Sequence, residues 1–206
     1  MRSIADNTVR RLSLYLRFLE EFQHEGAATV SSEALAARGG TTSAQVRKDL
    51  SFFGSFGKRG LGYSVPQLIK RLREILGLGR RYRVIVIGAG KIGSALIQYA
   101  GFGQRGFDMV AIYDTDPAKI GRQWNGLVVR DAAQLERDAG QLKPDMAIVV
   151  TPGEVAQQVS DRLVKCGITA ILNFAPVQLQ VPDHVEVKTV NLVLELEALS
   201  FALANR

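Results

Sequence analysis

From Thr8 to Phe22 the apolar residues Val9, Leu12, Leu16 and Leu19 recur every three or four positions, with Arg10, Arg11, Arg17 and Glu20 between them. That period belongs to one face of an α-helix, so the spacing predicts an amphipathic helix that Gly26 ends. A short second helix is expected after Ser31 or Ser32, running through Leu35 and Ala36 to Gly39-Gly40. Thr42, with Gln45 three residues on at capping-box spacing, opens a third helix that continues to Gly54 with Val46, Leu50 and Phe53 as its apolar stripe. Ala44, Lys48 and Ser51 fall opposite that stripe, flanked by Gln45 and Arg47. The Gly-dense segment GSFGKRGLGYSV predicts a hairpin with Lys58 and Arg59 at its tip and Tyr63 and Val65 returning as a strand. Pro66 then takes the first position of a helix through Leu76, which Gly77 and Gly79 end.

After Arg83 the pattern changes to short apolar runs separated by helical segments. Val84–Ile87 is a β-branched strand, a helix follows, and DMVAIYDTD supplies a second strand ending at Asp114. GLVV, a helix from Asp131 to Ala139, the strand Met146–Val150, a helix from Gly153 to Lys165 and the strand TAIL continue the alternation. Such βα units predict a parallel, doubly wound sheet. The last segment, NLVLELEALSFALANR, has a stripe at Leu192, Leu196, Leu199 and Leu203, with Leu194 and Phe201 off it. A helix apolar on more than one face has to be covered on more than one side, which argues for insertion into a second subunit and a homodimer. The expected fold class is therefore α/β: a winged helix-turn-helix at 1–76, a linker at 77–83, a Rossmann-type doubly wound parallel sheet at 84–190 and a swapped C-terminal helix at 191–206.

Charge sharpens this division. The chain of 206 residues carries a net +6, but residues 1–83 hold 15 Lys+Arg against 7 Asp+Glu, a net +8, and residues 84–206 hold 11 against 13, a net −2. An acidic partner is expected for the N-terminal part; phosphates of DNA or RNA are one reading and a well-solvated basic surface the other. The hydrophobic fraction of 47% is that of a soluble globular protein, and no apolar run or leader pattern points to a membrane, so a cytoplasmic protein is expected. Cys166 is the single cysteine, without a disulfide partner or metal-ligand spacing, and reads as a core residue; His24 and His184 stand alone, and no metal site is expected.

Two sets of residues carry candidate chemistry. On the third helix, Ser43, Gln45, Arg47, Lys48 and Ser51 form an exposed face that can enter a major groove, while Lys58 and Arg59 on the hairpin suit a narrow, electronegative minor groove. In the second domain, Gly88, Gly90 and Gly93 form G-x-G-x-x-G between strand and helix: a tight turn, room for a pyrophosphate, and close helix–strand packing, in that order. Asp114 lies 21 residues after Gly93, where a carboxylate accepts hydrogen bonds from the adenosine ribose and repels a 2′-phosphate, favouring NAD over NADP. Thr151 and Pro152, at the end of a strand, either cap a helix or line the nicotinamide side.

Taken in order, RRLSLYLRFLEE, SAQVRKDLSFFG, GKRGLGY, VIGAGKIGSAL, YDTDPAKIG and GITAILNFAP resemble the redox-sensing transcriptional repressor family Rex over nearly the whole chain. The resemblance implies a homodimer whose winged helix binds double-stranded palindromic operator DNA, and whose Rossmann domain binds NADH and NAD+, with NADH releasing the DNA. It implies readout by Lys48 and its neighbours and a minor-groove role for Arg59. It also implies a cofactor set of Gly88, Ala89, Gly90, Lys91, Ile92, Gly93, Tyr99, Asp114, Lys119, Thr151 and Pro152, with Tyr99 near the nicotinamide. Arg17 corresponds to a residue of interdomain signalling. The family usually has Asp where this chain has Asn191, which keeps hydrogen bonding and loses the charge, so altered redox coupling is expected through Arg17, Tyr99 and Asn191. Ala5 replaces a usual proline at the helix entry. Two rivals remain at this level: an NAD-dependent dehydrogenase, for which no substrate domain or proton donor stands out, and a CoA- or nucleotide-binding regulatory module without DNA binding, against which the basic first domain weighs.

Overall fold

The computed structural model describes residues 4–58 and 61–205. They form two compact units that divide at Arg80/Arg81, inside the expected linker.

The first unit opens with α1 (Asp6–His24), β1 (Thr29–Val30), α2 (Ser32–Gly39) and α3 (Ser43–Ser51). Ser31 and Thr42 cap α2 and α3, each side-chain oxygen accepting from a backbone N–H three residues on, at 3.1 Å. β2 (Gly57–Lys58) and β3 (Gly62–Ser64) form the hairpin, and α4 (Val65–Ile75) closes the unit. β3 sits between β1 and β2, antiparallel to both. Two-residue β1 carries too few positions to show an alternation, so the periodicity does not expose it.

Three local expectations change. The buried stripe of α1 is Leu12, Tyr15, Leu16 and Leu19, while Val9 is exposed. α3 ends at Ser51, so Phe52 and Phe53 belong to the turn beyond it. Val65 does not extend the strand: it is the first residue of α4 and wholly buried, which moves Pro66 to the second position, still inside the first turn where its missing N–H costs nothing.

The second unit begins with β4 (Tyr82–Ile87), two residues before the expected strand, because Tyr82 pairs alongside Phe107 and stacks on its ring at 5.8 Å. Then come α5 (Lys91–Gln98), α6 (Gly101–Gln104), β5 (Phe107–Asp114), β6 (Gln123–Trp124) and β7 (Leu127–Asp131). The helix expected at Asp131–Ala139 is instead a 3-10 turn at Ala132–Gln134 followed by α7 (Leu135–Leu142); Asp131 ends β7 and accepts from the Ala133 N–H at 2.8 Å. β8 (Met146–Val149), α8 (Gly153–Lys165), β9 (Ala170–Asn173), β10 (Glu186–Thr189) and α9 (Leu192–Ala204) complete the chain.

The sheet order is β10-β9-β8-β4-β5-β7-β6, parallel throughout except for β6, which hairpins against β7. It is a doubly wound Rossmann-type α/β sheet. Side chains alternate across it: Ile85, Ile87, Ala147 and Val149 pack against α7 and α8, whereas Val84, Val86, Ile112 and Ile148 face the side that carries Ile97 of α5. The strand order reverses at β4, whose neighbours are β5 and β8, so the carboxyl ends of β4 and β8 diverge into a crevice. In α9 the side chains of Leu192, Leu196, Leu199, Phe201 and Leu203 are all exposed in the single chain.

Leu16 is 1% exposed within the first unit's core. Leu16→Ala is expected to cost about 2–5 kcal/mol, read as a lower urea midpoint for residues 4–80 by hydrogen exchange.

Candidate functional site

At the crevice, strand, turn and helix approach so closely that side chains are excluded. A Cβ on Gly93 would collide with the Gly88 carbonyl oxygen, and one on Gly88, whose φ is +110°, would meet the Val150 carbonyl oxygen at 2.6 Å. Gly90, by contrast, has nothing within 4 Å of where its Cβ would stand. This open space at the N-terminus of α5, with backbone N–H groups and the positive end of the helix dipole around it, fits a pyrophosphate.

Asp114 ends β5 beside this turn. Its Oδ2 accepts from the Ala89 N–H at 2.7 Å and from Lys119 Nζ at 3.1 Å, and its Oδ1 accepts from the Asp116 N–H at 2.8 Å. Burial alone would push this carboxyl up, but the donors from Asp116, Ala89 and Lys119 outweigh it and hold it below the usual carboxylate range. A carboxylate has about four acceptor positions, so one on Oδ1 remains for a ribose hydroxyl. Lys119 is raised by the same contact.

These elements border a cleft of ≈820 Å³. Of the expected cofactor residues, Gly88, Gly90, Ile92, Asp114, Lys119, Thr151 and Pro152 line it. Ala89 and Gly93 are buried beneath the turn, Lys91 is exposed on the first turn of α5, and Tyr99 stands at the end of α5, exposed and edge-on to Phe102 at 5.2 Å. Thr151 Oγ1 is buried without a partner among the described residues, a hydroxyl available to a ligand in the cleft.

Sequence reasoning missed the cleft's far wall. Ala132, Leu135, Val155 and Val159 give it an apolar slot of the kind that takes a flat ring, edged by Gln158 and Arg162. Arg162 ties α8 to α7 through Glu136, at 2.6 and 2.8 Å, and holds the Glu136 carboxyl down at about 2. The signal available was Val155 and Val159, one turn apart directly after Thr151-Pro152, but such spacing is also that of an ordinary core face. Asn173, fully buried, donates to the carbonyls of Ala175 and Val177 and so shapes the loop that brings Phe174 and Pro176 to the cleft.

In the first unit, Lys48, Arg47 and Ser51 are exposed on α3, with Ser43 and Gln45 half-buried. Arg47 donates to Ser32 Oγ at 2.9 Å and pairs with Glu33, and Ser51 Oγ donates back to the Lys48 carbonyl at 2.7 Å. Gln45 does not close a capping box: its backbone N–H is taken by Thr42, but its side-chain amide donates to Asp49 at 2.7 Å. Arg47, Ser51, Gly54 and Tyr63 border a groove of ≈790 Å³ between α2, α3 and the hairpin. Arg59 and the Lys58 side chain lie outside the described residues. Arg17 is solvent-exposed and pairs with Glu21 at 3.5 Å, and Asn191 caps α9, its Oδ1 accepting from the Val193 and Leu194 N–H groups. Among the described residues no cluster of His, Cys, Asp and Glu could hold a metal ion, and no helix is long and apolar enough to cross a membrane.

Comparison with known proteins agrees with both halves. Residues 3–51 match a family described as putative DNA-binding protein N-terminus, and residues 80–177 match the CoA binding domain family. The chain is 46% identical over 198 residues to the redox-sensing transcriptional repressor Rex of Carboxydothermus hydrogenoformans, covering 96% of this chain and 95% of that one. The chain belongs to the Rex family. The Streptomyces avermitilis Rex is 45% identical, over 97% of this chain and 79% of that protein. Among solved structures, the Rex-family repressor RSP in complex with β-NAD+ and operator DNA superposes with a TM-score of 0.94 at 38% identity, covering all of this chain and 94% of that one. RSP in complex with β-NADH superposes at 0.89 and 36% identity, covering 100% and 96%.

The Rex-family cradle makes Gly93→Ala a test of the geometry: dinucleotide binding, followed by NADH fluorescence, is expected to be lost. Because the Asp114 pKa is depressed in the folded state, its charge persists as pH falls from neutral. Affinity for NADH is expected to stay flat through the ordinary carboxylate titration range and to be lost only below it, because the folded-state pKa lies under the unfolded one.

Proposed function

We propose that this Rex-family chain is a homodimeric transcriptional repressor that binds palindromic operator DNA and is released from it when NADH occupies the Rossmann cleft. The observation that carries the reading is the pairing, in one chain, of a basic winged helix with a glycine cradle whose ribose-side carboxylate is charged and has one acceptor position left. Ser43, Arg47, Lys48 and Ser51 on α3, together with Lys58 and Arg59 further along the chain, contact DNA. The cradle residues Gly88 to Gly93, with Asp114, Lys119, Thr151 and Pro152, hold the dinucleotide, and Tyr99 lies toward the nicotinamide. The group, when bound, supplies a nicotinamide whose charge differs between its two oxidation states; the chain binds and orients it, and acts as a regulator and not a dehydrogenase.

Thirteen-residue α9 supports the dimer. Its exposed leucines and Phe201 need a second copy to cover them, and a groove on the sheet lined by Val84, Phe107, Met109, Met146, Ile148 and Leu172 offers an apolar seat. A twofold pair of winged helices matches a palindromic site. The cytoplasm is where such a repressor meets its operator.

The CoA binding domain description raises a second ligand class. CoA carries a phosphate on its adenosine ribose, and the ionised Asp114 beside that ribose repels it, so excess CoA is expected not to displace NADH.

The deciding experiment is fluorescence anisotropy of a labelled palindromic operator, titrated with NADH and with NAD+ at fixed salt. Release by NADH and not by NAD+ is expected; indifference to both would leave DNA binding without sensing. Leu196→Asp with Leu199→Asp is expected to give a monomer with operator affinity lower by about 100-fold, through lost avidity. Asn191→Asp is expected to increase NADH sensitivity, and equal sensitivity in the two proteins would remove Asn191 from the coupling.

A further inference from the structure

Asp49 lies on α3 among the residues expected to read DNA, yet its side chain is wholly buried. Its Oδ2 accepts from Arg11 Nε at 2.6 Å and Tyr15 Oη at 3.0 Å; its Oδ1 accepts from Arg11 Nη2 at 2.8 Å and Gln45 Nε2 at 2.7 Å. Four donors fill the acceptor capacity of one carboxylate. Arg11 and Tyr15 stand one turn apart on α1, and Gln45 stands one turn before Asp49 on α3. A bidentate guanidinium fixes the plane of a carboxylate, and the phenol adds a third direction.

We propose that Asp49 is a clamp setting the rotation of α3 about its own axis against α1, and that Gln45 is a positioning residue of this clamp and not a reader of bases. The inference rests on the repressor reading for its DNA part. To read adenine, a glutamine has to present its amide nitrogen and oxygen together to one base edge. The Gln45 nitrogen is already committed to Asp49, whose charge makes that bond stronger than a neutral one. Burial would push the Asp49 carboxyl up, but Arg11, Gln45 and Tyr15 keep it below the usual carboxylate range, and Tyr15, pushed up to about 12 by burial and by Asp49, remains a donor. The groove-facing residues left on α3 are then Ser43, Arg47, Lys48 and Ser51, whose direction the clamp fixes.

Asp49 itself is too deeply built in for its loss to be informative, so the test uses Tyr15→Phe and Gln45→Ala in the full-length protein. Hydrogen exchange of the α3 amides is expected to accelerate by about tenfold in both variants, the worth of one bond to a charged group, with 81–205 unchanged. Operator affinity is expected to fall by about tenfold for Gln45→Ala, by the same factor on every single-base-pair variant of the operator. Unchanged exchange in α3 would overturn the clamp. A Gln45→Ala loss that vanishes at one particular base pair would overturn its positioning role and make it a reader. If the unaltered chain binds no operator the repressor reading fails, and the exchange rates still decide whether the clamp exists.

Discussion

A carboxylate without access to water is tolerated only when donors surround it, because stripping its hydration costs several kcal/mol. The first unit of this chain accepts that cost at Asp49, and the arrangement of α1 against α3 follows from it. Arg11 and Tyr15 reach the carboxylate from one helix, Gln45 from the other, and the apolar stripe of Leu12, Leu16 and Leu19 packs around them. Apolar contact alone is non-directional and tolerates small rotations of a helix. The ion pair does not, so the direction in which α3 exposes Arg47 and Lys48 is fixed. A related device recurs in the second unit, where buried Asp138 on α7 takes Arg130 at 2.8 Å and the Tyr113 hydroxyl at 3.3 Å. There it fastens α7, with Leu135 at its start, over the strand that ends in Asp114.

The dinucleotide cleft works by exclusion as much as by contact. Where Gly88 and Gly93 admit no side chain, the turn is drawn tight against β8, and the room at Gly90 is the consequence. Asp114 ties the turn to the end of β5, since the oxygen that holds the Ala89 N–H also holds Lys119, leaving its partner oxygen the one with spare capacity. A carboxylate already immobilised by the protein loses little further freedom when a ligand hydroxyl meets it, which reduces the ordering cost of binding. For such a site to control DNA affinity, its ligand has to bind one arrangement of the chain better than another, because equal affinity shifts no population. The nicotinamide end is where the two oxidation states differ, and Tyr99 stands exposed at the end of α5 with its ring packed over Gly101, where a Cβ would come within 2.5 Å.

Local signals located most of the elements. Ser31, Gly40 and Thr42 bound α2 and α3 through caps formed within a few residues, and α8 follows from Pro152 and a clean helical period. The Gly88–Gly93 cradle was legible because Gly88 and Gly93 answer steric demands of the turn itself, while Gly90 leaves open space beside it. Weak or mixed periods hid the rest. β6 and β10 sit at the sheet's edges with half-exposed, polar residues, and β1 has two residues, so none shows a buried face. Gln45 was read as outward-facing because a helical wheel cannot tell a residue that points to solvent from one that bends inward to a buried charge.

By itself, the sequence determined the division into a basic helical unit and a Rossmann-type unit, the cradle, and the carboxylate of Asp114 at the strand end beside it, since these depend on period, charge and steric rules that act over one or two turns. Tertiary structure decided what depends on groups far apart in the chain. Asp49 is a buried anchor because Arg11, 38 residues away, meets it; the cleft's apolar wall exists because α7 and α8 converge on it; Asp114 is charged with one oxygen filled because Ala89 and Lys119 converge on that oxygen. Hydration, burial and hydrogen-bond saturation are properties of a place in space, and no spacing along a chain specifies them until the chain has folded.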